Sequence, residues 1–397
     1  MLDNNRKERG SDMKRGILLV GFVLLLSACK QEPMIHISPD VQASIDKKAA
    51  DRQGTANNSS ADTSASMSEV SGEVDTSAWQ KAPDGTQYDI SHYAPNGINQ
   101  LKEFETSEGT QLVYTDYTDN NRQLWQIRTL LPNGRANVAI YQLTKEGWQI
   151  SWQALDSLDT TSHLDQVSHT HRIPYLMAPI QVGTMWQDSQ GSRSTITNLY
   201  QSAKIGDATY EDVIEVTTFR SDQEVHTYYA KDQGLVMSSQ KAINSGGENI
   251  ALTLKSNQHQ VSITQSINIA KPSNQMNPIL TKGTGKLTWQ TNQNPGKTFT
   301  ELFRKEGWIN SSVEVKDIKI DSQIATVDFT PGVVAAMNQH TARETAVLPA
   351  IVQTIADYYG VSQVKLTVGG LTLSPDTLPI PANGIWEVNP SWLGSNQ

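Results

Sequence analysis

From Trp79 to about Ala270 the chain alternates apolar and polar residues in short runs: LKEFET, QLVYTDYT, LWQIRTL, ANVAIYQL, WQISWQ, then RSTITNLYQ, TYEDVIEVTTFR, EVHTYYAK, ENIALTLKS and QVSITQSINI. Period-two alternation describes strands with one buried face and one wet face. Asn133-Gly134 between two runs is a hairpin signal, and Lys145-Glu146-Gly147 marks a second turn. With no helical periodicity between the runs, the pattern predicts an antiparallel meander closing as a half-barrel or sandwich. Lys271–Lys286, KPSNQMNPILTKGTGK, breaks both periods with Pro and Gly and reads as a linker. From Leu287 to Gly370 the pattern becomes mixed α/β. LTWQ is a strand, TFTELFRKEG a short helix, and VEVKDIKI and IATVDFT are strands joined at Asp321-Ser322. Thr341–Tyr359 carries Val347, Leu348, Ile351, Val352 and Ile355 on one helical stripe, with Thr341 and Glu344 spaced as a capping box. Gly360 ends that helix and VKLTV follows as a strand. Pro349 contradicts the pattern, because an interior proline costs about 3 kcal/mol and bends a helix; the helix either kinks there or starts its regular part there. Leu371–Gln397 is a proline-punctuated tail whose Trp386 and Trp392 are expected to pack on the preceding domain.

The N-terminal pattern concerns location. Met13-Lys14-Arg15 precedes an apolar run from Gly16 to Leu26, and Met13 is the more natural start than Met1. That run is too short to span a bilayer, which needs about 20 residues, and fits the h-region of a secretory signal. Leu26-Ser27-Ala28-Cys29 resembles the bacterial lipobox. The resemblance implies cleavage before Cys29 by a signal peptidase that recognises Leu26, Ser27 and Ala28. It also implies diacylglycerol on the Cys29 sulfur and an extracytoplasmic protein anchored to the cell membrane. One acyl chain holds a protein only marginally, at about 0.8 kcal/mol per buried methylene, whereas two or three anchor it. Lys30–Ala78 is rich in Ser, Ala, Asp, Asn and Thr. It reads as a disordered tether with a reach of about 40 Å. The expected division is therefore signal peptide 1–28, tether 29–78, β-domain 79–270, linker 271–286, α/β domain 287–370 and tail 371–397.

Charge narrows the partners. The 397-residue chain carries a net −9, and loss of residues 1–28 removes five basic and three acidic side chains, making it more negative still. That balance argues against nucleic acid and against an electrostatic grip on anionic lipid. Cys29 is the one cysteine, so the mature domains have no disulfide and no cysteine chemistry, and stability must come from apolar cores.

Two further resemblances concern the folded part. Pro174–Lys241 resembles a module of exported bacterial lipoproteins. Pro179 leads into Val182-Gly183-Thr184-x-Trp186, and a hairpin Tyr228–Val236 of the form Tyr-Tyr-Ala-Lys-x-x-Gly-Leu-Val closes it. It implies a fold and no settled activity. The C-terminal order is similar to the sporulation and spore-germination domain called GerMN. The carrying residues are Ile324–Phe329, Glu344, Ile351-Val352-Gln353-Thr354-Ile355, and Val361–Val368 followed by Gly369. The first helix is shorter than is usual in that family. The family implies a compact α/β module of envelope lipoproteins, similar to the ring-building domains of secretion systems, acting by assembly.

Candidate chemistry is sparse. His163, His169 and His171, with Asp159 or Asp165, are the best metal candidates, but their spacing matches no zinc signature, and no metal or cofactor is expected. Asp116 with Asp119, and Glu211 with Asp212, read as turn and edge charges rather than an acid–base pair. Gly283-Thr284-Gly285-Lys286 lacks the full phosphate-loop spacing. Asp328-Phe329 reads as a strand end, with Asp328 capping the turn that follows rather than catalysing. Trp125, Trp148, Trp152 and Trp186 read as core, with the floor of a lipid or glycan groove as the rival. The expected function is a non-enzymatic, membrane-tethered envelope lipoprotein that binds envelope proteins or itself, with a link to sporulation or germination implied by the resemblance. The alternatives are a hydrophobe carrier or sensor through the β-domain and, more weakly, an envelope hydrolase.

Overall fold

A computed structural model describes residues 74–374 except 158, 169, 244–247, 275–276 and 339–340, together with 36–37, 381 and 383–393. The signal, the lipobox with Cys29, all of the tether except 36–37 and 74–78, and His169 lie outside the described residues. So does the capping box, because only the backbone is described at 338 and 341–344.

Two short strands come first, β1 (His36–Ile37) and β2 (Gln80–Lys81). The alternating runs then form a first meander: β3 (Leu101–Thr106), β4 (Gly109–Asp119), β5 (Leu124–Leu130), β6 (Ala136–Thr144), β7 (Gly147–Ala154) and β8 (Ile173–Met177). After β9 (Met185–Gln187) comes a second meander: β10 (Arg193–Ile205), β11 (Ala208–Phe219), β12 (Gln223–Ala230), β13 (Gly234–Ala242) and β14 (Glu248–Gln258). The last strand, β14, pairs with β3, and this joins both meanders in one 13-stranded antiparallel sheet. Its order is β2-β10-β11-β12-β13-β14-β3-β4-β5-β6-β7-β8, with β9 beside β10, and it stays open. The Asn133-Gly134 turn joins β5 to β6 as expected, with Leu131 N–H on Arg135 O at 2.8 Å.

The sheet curls. Tyr175 on β8 meets Tyr229 on β12 edge-to-face at 5.5 Å, although the two strands stand far apart in the order. The space inside is filled by the chain's own segment before β3: Tyr88, Ile90, Tyr93 and Ala94 share one apolar cluster with Trp148, Ile150, Ile196, Ile214 and Tyr229. Gly234 seats this plug. A Cβ there would lie 2.4 Å from Ala94 O, and its φ of +62° also favours glycine. Tyr93 O–H donates to Asp212 O at 2.7 Å, and Lys102 Nζ donates to Pro95 O at 2.8 Å. Gly234 closes the module-like hairpin Tyr228–Val236, so those residues serve the fold directly.

The remaining chain forms a layered α/β unit. A hairpin of β15 (Ile263–Pro272) and β16 (Leu280–Trp289) carries β1 on its edge. Below it lie α1 (Pro295–Lys305) and α3 (Thr341–Tyr359), with α2 (Gly332–Asn338) between them in sequence. Underneath is a five-stranded sheet, β17 (Val315–Asp321), β18 (Ile324–Phe329), β19 (Gln363–Val368), β20 (Leu371–Thr372) and β21 (Ile385–Glu387). β18 and β19 are parallel because α2 and α3 form their crossover. α3 is one helix through Pro349. Leu348, Ile351, Val352 and Ile355 beside it are fully buried, which offsets the proline's cost.

Two expected boundaries move. The meander ends at Gln258, and most of the expected linker 271–286 is strand. The glycines that suggested a linker are packing positions: a Cβ on Gly285 would lie 2.8 Å from Leu302 of α1 and 3.0 Å from Ile269. Ile263, Ile267, Ile269 and Leu280 belong to the same core as α1 and α3. Trp386 completes that core and Trp392 packs against it.

Candidate functional site

Two places invite a functional reading: the joint between the curled sheet and the α/β unit, and the face of the smaller sheet that no other described element covers.

At the joint the loop after β16 lies along β4. Thr291 Oγ1 donates to Thr115 O (2.7 Å), Asn292 N–H to Asp116 O (2.8 Å), and Asn99 Oδ1 accepts from Thr291 N–H (2.8 Å). Tyr117 O–H reaches both Thr160 O (2.9 Å) and Gln293 O (3.2 Å), and Thr160 Oγ1 meets the Tyr359 hydroxyl at 3.1 Å. Behind these bonds lies a buried ion pair. Arg128 on β5 holds Asp116 on β4 through Nε at 3.0 Å and Nη2 at 2.9 Å, with both side chains almost wholly buried. Its remaining donors fix the loop after β7, at Ser157 O (3.2 Å) and Asp159 O (2.6 Å). Burial pushes the Asp116 carboxyl up, and the Arg128 guanidinium pulls against it. A narrow crevice at the joint is lined by Asp116, Tyr117, Thr160, Trp289, Phe299 and Tyr358.

The open face carries Asp317, Lys319 and Asp321 from β17, Ile324, Thr326 and Asp328 from β18, and Gln363 and Lys365 from β19. Alternate residues Ile318, Val327 and Leu366 point into the core. Glu387 of β21 stands opposite Gln363 on the same face. Both signs of charge are interspersed, with Lys319 Nζ 3.4 Å from Asp317 and Lys316 Nζ 3.9 Å from Asp328. Asp328 Oδ1 also accepts from Thr367 Oγ1 (2.7 Å) and Gly370 N–H (2.8 Å), so it caps the turn after the neighbouring strand β19 and not, as expected, the turn that follows it in sequence.

His163 and His171 each have neighbours of their own. His163 is buried, stacks on Trp152 at 4.4 Å and places Nε2 3.3 Å from Asp159. Burial would push the Asp159 carboxyl up, but His163 and Thr161 outweigh it and hold it below the ordinary value. His171 is exposed and bonded to Thr170 at 2.9 Å. Among the described residues no group of three or more His, Cys, Asp or Glu could hold a metal ion. Asp119 pairs with Arg122 (2.6 Å) and Asp212 with Lys231 (2.9 Å), but Asp116 is not the turn or edge charge expected: it lies buried against Arg128, which offsets the cost of taking its charge out of water. Gly283–Lys286 lies within β16. Trp148 is 1% exposed and donates to Ile90 O at 3.2 Å. Trp125 packs edge-on against it at 4.9 Å, and half-buried Trp186 packs against the same cluster.

Three buried polar centres escaped sequence reasoning. Arg128 stands in LWQIRTL, where a charge inside a nearly continuous apolar run was the available signal. Glu215 on β11 accepts from Asn198 Nδ2 (2.7 Å), Tyr200 O–H (2.9 Å), Tyr228 O–H (3.3 Å) and His226 Nδ1 (2.9 Å). His226 Nε2 lies 3.2 Å from Glu224. Burial pushes Glu215 up, but the bonds from His226, Asn198 and Tyr200 prevail and hold it low. The bond to Glu215 raises His226 against its own burial. Lys102 is fully buried among carbonyl groups, and burial lowers its pKa to about 7. No spacing in the sequence distinguishes Glu215 or Lys102 from ordinary wet-face strand residues.

The comparisons with known proteins bear on the same C-terminal part. Neither a curated protein nor a solved structure matches the chain. No described helix is long and apolar enough to cross a membrane. Residues 252–374, from within β14 to just past β20, match the Germane family model, described as sporulation and spore germination.

Proposed function

We propose that this chain is a membrane-anchored envelope lipoprotein whose Germane region assembles with further copies of itself and performs no reaction, in a process related to sporulation or germination. The observation that carries the reading is the face of the β17–β19 sheet, within the Germane-matching segment, that no other described element covers. Its mixed charges suit a self-complementary contact: turned about a two-fold axis, Lys319 and Lys365 of one copy can meet Asp317, Asp321, Asp328 or Glu387 of another. The lipobox-like Leu26–Cys29 supplies the anchor in this reading, and the curled sheet serves as the rigid arm between anchor and head.

Sedimentation of the chain from residue 30 onward, across a concentration series, tests it. Association that Lys365→Glu abolishes without changing the melting temperature is expected. A strict monomer at every concentration contradicts the assembly reading.

A further inference from the structure

We infer that His226 is a proton-controlled latch for residues 74–81, the strap by which the chain enters the curled sheet: protonated His226 keeps the strap seated, and loss of the proton releases it. The strap lies on the face of β10–β13 turned away from the plug. Trp79 is buried there, edge-on to Tyr200 at 5.0 Å and to Tyr228 at 5.3 Å. Gln80 and Lys81 pair with Ser202 and Tyr200 of β10, and Thr76 bonds the Tyr200 hydroxyl. Lys81 Nζ donates to Asn198 Oδ1 at 3.2 Å, and Val74 N–H reaches Glu248 Oε2 at 3.4 Å. Asn198, Tyr200 and Tyr228 all donate to Glu215, so the strap rests on the shell of one buried carboxylate.

His226 sits between two carboxylates, with Nδ1 2.9 Å from Glu215 and Nε2 3.2 Å from Glu224. A neutral imidazole has one N–H and turns a lone pair to the other side, so only the imidazolium satisfies both acceptors. The remaining groups facing it do not replace that proton. Thr217 Oγ1 on β11, at 3.4 Å, and Ser239, opposite on β13, are neutral. Glu248 of β14 adds negative charge, and Lys241 of β13 stands opposite Glu224 in register. When His226 loses its proton, half-buried Glu224 can turn to water. Glu215 cannot: its side chain is 8% exposed and becomes a buried charge held by neutral donors alone. The tyrosines that it fixes are the walls of the Trp79 seat, so the strap loosens with them. For the anchored protein of the proposed function, and resting on that reading, release of these eight residues would add about 27 Å of reach at full extension.

Amide hydrogen exchange of the full-length protein in mild detergent, expressed as protection factors from about pH 5 to about pH 9, tests the latch whether or not the anchor reading holds. Peptides covering 74–82 report the strap, and Tyr88 N–H, which donates to Ile180 O at 3.0 Å, reports the plug. In wild type the strap is expected to lose protection as pH rises while Tyr88 keeps its own. His226→Gln should leave the strap unprotected at every pH with Tyr88 still protected. Glu224→Gln, which removes one of the two carboxylates, should move the loss to lower pH. If His226→Gln does not fold, the wild-type and Glu224→Gln profiles decide. Strap protection that is flat with pH in wild type, strap and plug opening together, a wild-type profile in His226→Gln, or an unmoved midpoint in Glu224→Gln would overturn the inference.

Discussion

Single residues set the conditions under which the curled sheet holds its plug. Lys102 has a folded pKa of about 7 against 10.5 for the free side chain. Between those values the unfolded chain keeps a proton that the folded chain has released, so this lysine makes stability rise with pH across that window. Urea melts at pH 7 and pH 9 should show wild type gaining stability relative to Lys102→Met as pH rises, the difference removing the contribution of other titrating groups. His226 works in the opposite sense. Its raised pKa gives stability that is fully present below the unfolded value and is lost as pH rises through the folded one. His226→Gln should therefore cost more stability in mild acid than at alkaline pH, read from the same melts. Gly234→Ala should lower stability by about 1 kcal/mol or more, since the added carbon meets Ala94 O and the backbone is left-handed. A midpoint unchanged from wild type would remove the plug-seating role assigned to it.

At the scale of elements, the β15–β16 hairpin belongs to the α/β core. Ile269→Ala should cost about 2–5 kcal/mol in a denaturant titration, whereas a loosely attached hairpin would lose little. This element was the least legible in the sequence. Gly283 and Gly285 suggest a linker, but they mark where Lys271 and Leu302 press on the strand. Similarly, α1 starts ahead of the expected TFTELFRKEG: Asn294 Oδ1 accepts from Gly296 N–H at 2.6 Å and Pro295 takes the first helical position. The meander strands, the Asp321-Ser322 turn and α3 were legible, because period two, turn chemistry and a helical stripe are local signals. The pairing of β14 with β3 and the plug inside the curl were not, since both depend on contacts between distant segments. The candidate histidines illustrate the same limit: nothing in their spacing foretells that His163 is buried on Trp152 while His171 is exposed beside Thr170.

Across the whole molecule, the joint ties the curled sheet to the α/β unit, and the Asp116–Arg128 pair is its buried centre. Arg128→Met should cost about 3–5 kcal/mol, because it leaves a buried carboxylate unpaired. It should also split one calorimetric transition into two, while a single unchanged transition would mean the joint does not couple the parts. The central claim is assembly through the open β17–β19 face in an anchored protein. The most direct measurement places a photo-crosslinking residue at Lys365 of the full-length protein in its native envelope. The account predicts a crosslinked homodimer or larger ladder that is absent when the same crosslinker replaces Lys204 on β10. Monomer alone at Lys365, in cells where the protein is present and folded, would contradict it.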